Sequence, residues 1–263
     1  MPFRSSLCLM ASMVRERAIS PIEVIDVHLK QIEKFNPGIN AFVTVMADEA
    51  RQAAVQAEVE IMRGGPLGLL HGIPVTVKDS FDLAGYPTVC GSKFRLDHRA
   101  EQDSTAAARL RAAGVIILGK TNCPEFLWNY ETDNYVTGRT NNPWDLERTA
   151  GGSSGGESAA IAAMFSAGGI GSDAGGSIRI PAHFCGIAAL KPTPGRVPAA
   201  GHYPEIGHPG GLLGVAGPMA RTANDVRLLF AVLSGHDEQD PFSAPVPLRI
   251  PNVSGLKIGL MEQ

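Results

Sequence analysis

The stretch RTAGGSSGGES, Arg148 to Ser158, constrains what this chain can fold into more than any other. Two adjacent serines, Ser153 and Ser154, stand between two pairs of glycines. Glycine loses more conformational freedom on folding than any other residue, so such a cluster answers a need: unusual backbone angles, or something packed close against the backbone. A second cluster, SDAGGSIRIPA from Ser172 to Ala182, again sets a serine, Ser177, directly after two glycines. The chain holds 30 glycines, and many fall between Gly151 and Gly217, so backbone geometry matters most there.

Around these clusters the pattern alternates between helices and strands. Arg4 and the short apolar stretch LCLMASMV carry no clear cleavage site and read as an amphipathic first helix. Ser20, Pro21 and Glu23 have the form of a capping box with proline at the first helical position. Ile25, Leu29, Ile32 and Phe35 follow at helical spacing, and Pro37-Gly38 predicts the end of that helix. A second helix is predicted from Ala47 to Arg63, stopping at Gly64-Gly65. A strand is predicted from Ile73 to Val77, ending on Lys78. Asp103 or Ser104 caps a helix through Ala113, and GVIIL after it is a buried strand. Glu157 to Phe165 predicts an alanine-rich helix, and Thr222 with Asp225 predicts a capping box opening a helix through Leu233. The final GLKIGLMEQ reads as a strand, with nothing after it. Interleaved helices and strands of this kind predict an α/β fold.

Composition excludes several classes. At 263 residues the chain holds one large domain or two small ones, with 44% hydrophobic and 19% charged residues, as in globular proteins generally. A formal charge of −3 argues against nucleic acid as a partner. No apolar run approaches the ~18 residues of a membrane span. The four cysteines, Cys8, Cys90, Cys123 and Cys185, form no C-x-x-C pair, so no metal site is expected and a reduced, cytoplasmic chain is.

Two familiar motifs fail on context. GVIILGKT, Gly114 to Thr121, matches the P-loop pattern letter for letter, but its middle residues are a strand pattern rather than an anion-binding loop. Gly151, Ser153 and Gly155 match the nucleophile elbow, yet NPWDLERTA ahead of them offers no buried strand. The later histidines, His183, His202, His208 and His236, sit in no context that suggests a base.

A third reading joins the two glycine clusters. Ala174, Gly175, Gly176 and Ser177 offer consecutive backbone N–H groups with no bulky side chain in the way, a nest suited to an oxyanion. That places Ser177 as a nucleophile beside its own anion hole. It needs a base, and Lys78 at the end of an apolar strand can serve if it is neutral. A free lysine is neutral in roughly 0.04% of molecules at pH 7, so burial has to lower its pKa by about three units.

With these residues in place, the chain closely resembles the amidase signature family of serine hydrolases, which includes fatty-acid amide hydrolases, bacterial amidases and the glutaminase subunit of aminoacyl-tRNA amidotransferases. The resemblance rests on GIPVTVKD, AAGVIILGKTNCPEF, NNPWD, GGSSGGESAA, DAGGSIRIPAHFCGIAALKPTPGRVP and GPMARTANDVRLL, in the family's order. It implies a central mixed β-sheet covered by helices on both faces, within a single amidase domain of which residues 1–263 are the N-terminal and signature portion. It also implies a triad in which Ser177 is the nucleophile and Ser153 relays protons to Lys78, with a cis peptide bond ahead of Ser153. Ser154 is implied as an adjacent hydrogen-bonding residue, and Asp173 and Arg179 as supports of the nucleophile loop.

The implied reaction is hydrolysis of a small-molecule amide through an acyl-enzyme, with no metal or organic cofactor. Glu157 and CPEFLWNYETDN lean toward broad amidases rather than the amidotransferase subunit. Family members are longer, so a C-terminal portion that completes the sheet and the acyl pocket is expected to be missing. The alternatives are an incomplete, inactive fragment or a glutaminase-type subunit that needs a partner. An unpaired closing strand would favour pairing with another chain, so a homo-oligomer is among the expected states.

Overall fold

The computed structural model describes residues 4–207 and 213–249, together with 254, 255, 257 and 259. The expected closing strand falls largely outside these residues. Helices α1 (Leu7–Arg15), α2 (Pro21–Ile39) and α3 (Ala47–Arg63) surround β1 (Phe42–Val45), and β2 (Pro74–Lys78) follows. Next come α4 (Thr105–Ala112), β3 (Ile116–Thr121) and a hairpin of β4 (Asn141–Asn142) and β5 (Asp145–Thr149). Then α5 (Gly155–Ala162), β6 (Gly168–Asp173), α6 (Arg179–Cys185), β7 (Ala188–Ala189), β8 (Val215–Ala220) and α7 (Ala223–Leu233) complete the order.

The main sheet has six strands in the order β1-β3-β2-β6-β8-β7. Its centre, β3-β2-β6, is parallel, and β1, β8 and β7 join antiparallel. Both faces are covered, so the central strands β2, β3 and β6 are buried along their whole length. Side chains alternate along a strand. Thus Ile117, Val75 and Val77 pack with Leu7 and Met10 of α1, Leu110 of α4 and Leu229 of α7. Ile116 and Leu118 pack on the other face with Ile25 and Leu29 of α2, Ala54 of α3 and Ala159 of α5. The even residues of β2, Thr76 and Lys78, therefore point toward α5, and that register carries the site. Among the described residues no helix is long and apolar enough to cross a membrane.

Several local readings are confirmed in chemical detail. Ser20 accepts from the Ile22 amide at 3.0 Å, and Glu23 accepts from the Ser20 amide at 3.2 Å. Ser104, not Asp103, caps α4, because Asp103 is held by Arg111 at 2.9 Å. Others shift. Helix α2 passes Pro37-Gly38 and ends at Ile39: proline removes only one N–H from the last turn, and Asn40 in the left-handed region closes it by donating to the Asn36 carbonyl. Helix α5 begins two residues before Glu157, since the Gly155 and Gly156 amides find acceptors in Thr132 and Asn122. It stops before Phe165, where Met164 takes φ 60°. Thr222 caps α7, but Asp225 does not return the bond; its carboxylate accepts from the Cys8 amide of α1.

The P-loop match is strand β3, and Lys120 is buried 2.9 Å from Asp79. Ahead of Gly151 there is a strand after all, β5, but it is exposed and belongs to the small hairpin rather than the main sheet. The elbow reading fails for that reason.

Candidate active site

Strand β2 delivers Lys78 to its carboxyl end, 0% exposed, beneath the turn that leads into α5. Its Nζ lies 2.7 Å from Ser153 Oγ, 2.9 Å from Ser154 Oγ and 3.1 Å from Ser172 Oγ. Burial pushes the lysine down from 10.5 to about 8, against the opposing pull of Cys123, Cys90, Asp173 and Glu157. At that value about a tenth of the molecules carry a neutral amine at pH 7. A neutral amine has two N–H bonds and one lone pair, so three hydroxyls complete its shell. Ser154 Oγ donates to the Ser172 carbonyl at 3.3 Å, so toward the lysine it can only accept. The Ser153 hydroxyl has no second partner among the described residues and is free to give its proton to Nζ.

The turn that carries the serines is built by close approach. The Gly152–Ser153 peptide bond is cis, as the resemblance implies. A Cβ on Gly156 would collide with the Asn122 amide nitrogen, and one on Gly169 of β6 with Glu157 Oε1. No side chain fits at either place. The glycines thus let α5 lie directly on β6, which brings Ser153, Ser154 and Lys78 together. The Ser154 amide donates to the Ser177 carbonyl at 3.0 Å and ties the two serine loops to each other.

The loop that carries Ser177 hangs on Asp173. Its carboxylate accepts from the Gly176 amide at 2.8 Å, the Ile178 amide at 3.0 Å and the Arg179 amide at 3.3 Å. Arg179 adds Nε at 3.0 Å and Nη2 at 2.9 Å, a two-pronged pair. Burial works to raise the Asp173 carboxyl, but Arg179 and these amides together hold it below its usual value. This network stands beside the loop, and it corrects the anion hole. The Gly176 N–H is spent on Asp173, so the expected set of Ala174, Gly175, Gly176 and Ser177 loses Gly176. The Gly175 and Ser177 amides donate to no acceptor among the described residues.

Ser177 is 9% exposed and lines a cavity of about 260 Å³ together with Ser153, Ser172, Ala174, Trp128 and His202. Sequence reasoning missed Ser172 and His202. Ser172 comes within reach of Lys78 only because β6 pairs with β2, which no local pattern reveals. Glu157 was read only as a family marker. It is buried against the same face, accepts from Thr76 Oγ1 at 2.5 Å and Thr121 Oγ1 at 2.7 Å, and is raised by burial to about 7. Among the described residues no cluster of three His, Cys, Asp or Glu side chains is placed to hold a metal ion.

A lysine kept partly neutral by burial, hydrogen-bonded to a serine that shares a cavity with a second serine, can activate a hydroxyl without a histidine. The family model described as Amidase matches residues 23–263, and the chain belongs to that family. It is 41% identical over 258 residues to the indoleacetamide hydrolase of Bradyrhizobium diazoefficiens, covering 96% of this chain and 49% of that protein. It is 42% identical over 261 residues to a glutamyl-tRNA(Gln) amidotransferase subunit of Acidothermus cellulolyticus, covering 97% and 51%. A solved bacterial aryl acylamidase of the amidase signature family superposes with a TM-score of 0.87 at 39% identity, over 93% of this chain and 50% of that one. The chain therefore spans about half the length of the relatives it matches.

Proposed function

We propose that the chain is the catalytic portion of a single amidase domain and cleaves the C–N bond of a small carboxylic amide through an acyl-enzyme on Ser177. The observation that carries this is Lys78, buried and 2.7 Å from Ser153 Oγ, with Ser153 and Ser177 in the wall of one cavity. Neutral Lys78 takes the Ser153 proton while Ser153 takes that of Ser177, and Ser177 Oγ attacks the carbonyl carbon. The oxyanion rests on amides of Ala174, Gly175 and Ser177. Ser153 hands a proton to the nitrogen, the C–N bond breaks and the amine leaves. Water then attacks the ester by the reverse proton path and frees Ser177. Ser154 and Ser172 hold the lysine in place throughout.

A fluorophosphonate probe on this chain tests the reading. Labelling that disappears in Ser177→Ala and falls sharply in Lys78→Ala is the expected result. An unlabelled wild-type chain, or labelling lost only in Ser153→Ala, overturns it. The 42% identity to a component of an amidotransferase supports a second reading, a glutaminase-type subunit that works with a partner. Turnover of glutamine only when a second subunit is added would select it.

A further inference from the structure

Tyr130 lies against the loop that carries Ser177, and the catalytic scheme does not use it. Its hydroxyl donates to the Gly175 carbonyl at 3.1 Å. A Cβ on Gly175 would stand 2.8 Å from that hydroxyl oxygen, so only glycine admits it there. The far end of the same peptide is also fastened, because the Gly176 N–H donates to Asp173 Oδ1 at 2.8 Å. This peptide is trans, so its C=O and N–H point in opposite directions and the two bonds hold its plane at both ends. A plane held at one end alone rocks about that bond. Glycines stand on both sides of it, Gly176 at φ 127°, and no Cβ resists the motion. Tyr130 is itself rooted in the other serine turn. A Cβ on Gly152 would lie 2.8 Å from the Tyr130 backbone, and Thr132 gives both its amide, at 3.1 Å, and its hydroxyl, at 2.9 Å, to the Gly151 carbonyl.

We propose that Tyr130 is a positioning residue for the oxyanion: through the Gly175 carbonyl, its hydroxyl keeps the Gly175 N–H aimed at the charge that develops on the substrate carbonyl oxygen. The inference rests on the assignment of Ser177 and its neighbouring amides above. The amides of Gly175 and Ser177 stand one Cα to either side of the fastened peptide. The Ser177 N–H has its own support, since the Gly176 carbonyl at the other end of its peptide accepts from the Ile180 amide at 2.7 Å. The Gly175 N–H takes its direction from the Gly175 Cα, and Tyr130 holds the carbonyl attached there. Because Tyr130 is rooted beside Gly152, it also fixes the anion-binding loop relative to Ser153. Such donors work because they are already aimed when charge develops. One that rocks therefore weakens transition-state binding and leaves substrate binding nearly as it was. Tyr130 is 54% exposed, so its hydrogen bond competes with water and has the effect of an ordinary neutral one.

The test uses the full chain and Tyr130→Phe, which keeps the ring and removes the hydroxyl. With butyryl p-nitroanilide, kcat is expected to fall about tenfold while KM stays nearly constant. Affinity for trifluoromethyl propyl ketone is expected to fall by the same factor. Its carbonyl carbon bonds Ser177 Oγ, the serine proton passes to Lys78 through Ser153, and the carbonyl electron pair becomes an oxyanion. Methyl propyl ketone, which binds uncharged, is expected to keep its affinity. Equal losses for the two ketones, a change in KM alone, or no change at all overturns the proposal. The second readout needs no turnover. In Tyr130→Phe the 13C resonance of the Gly175 carbonyl is expected to shift and hydrogen exchange at the Gly176 amide to quicken about tenfold. The Ile178 amide, held by Asp173 Oδ2 at 3.0 Å, is expected to keep its protection. Unchanged Gly175 and Gly176 signals, or an equal loss of protection at Ile178, also overturn it. A chain that fluorophosphonate does not label and that turns over nothing defeats the hydrolase reading alone, because the Gly175 and Gly176 signals still decide what Tyr130 holds.

Discussion

Replacing Lys78 by methionine should remove catalysis and, near neutrality, make the protein more resistant to unfolding. Lys78 is wholly buried, and burial lowers it from 10.5 to about 8. Below pH 8 both folded and unfolded chains carry the charge, so the folded state bears the full cost of a buried ammonium. A shift of this size corresponds to about 3 kcal/mol. Between pH 8 and 10.5 the unfolded chain binds more protons than the folded one, so wild-type stability rises with pH through that window. Lys78→Met has no such group, and methionine fills the volume with little strain. The loss of hydrogen bonds to Ser153, Ser154 and Ser172 offsets part of the gain, but that loss does not depend on pH. The stability difference between variant and wild type should therefore shrink by about 2–3 kcal/mol from pH 7 to pH 10. Urea unfolding of both proteins at half-unit pH steps measures it. A difference that stays constant with pH would show that Lys78 titrates normally, and the neutral-lysine base would fall with it.

The same group sets the acid limb of the rate: kcat/KM should drop about tenfold per pH unit below pH 8, and a profile flat to pH 6 would contradict it. Glu157→Gln removes a buried negative charge that favours the protonated lysine, so the acid limb should move to lower pH. A pH–rate profile of the variant reads this directly, and movement to higher pH would reverse the assigned sign. Asp173→Ala takes the acceptor from the amides of Gly176, Ile178 and Arg179, while the half-exposed Arg179 guanidinium stays hydrated, and should cost about 2 kcal/mol in urea unfolding. Fluorophosphonate labelling of Ser177 should slow with it. Unaltered labelling would mean that the loop stands without its carboxylate.

The elements legible in the sequence are those whose causes are local. The Ser20 capping box, the Ala47–Arg63 helix and the apolar run ending in Lys78 are set by side chains a few residues apart, and the structure has them at or within a residue of their expected places. The two glycine–serine clusters were equally visible, as was the lysine a serine would need. What could not be read is what depends on partners distant along the chain. Strand β8 contains Gly217 and Pro218, which read as loop punctuation, and it is a strand because β6 and the Leu190 amide supply its partners. The Gly176 amide was expected in the anion hole, and the bend that places Asp173 Oδ1 beneath it takes it away.

Ser172 and His202 are the clearest instances, and they share one physical reason. Neither was singled out as a site residue, and their positions follow from β6 pairing with β2 and from a backbone bridge to Phe81. Sequence alone determined which groups could do the chemistry, since residue type sets which atoms can donate, accept or attack. Only the tertiary structure decided how they are charged and whom they face. Burial lowers Lys78 and raises Glu157, and burial is a property of everything packed around a group rather than of its neighbours in the chain.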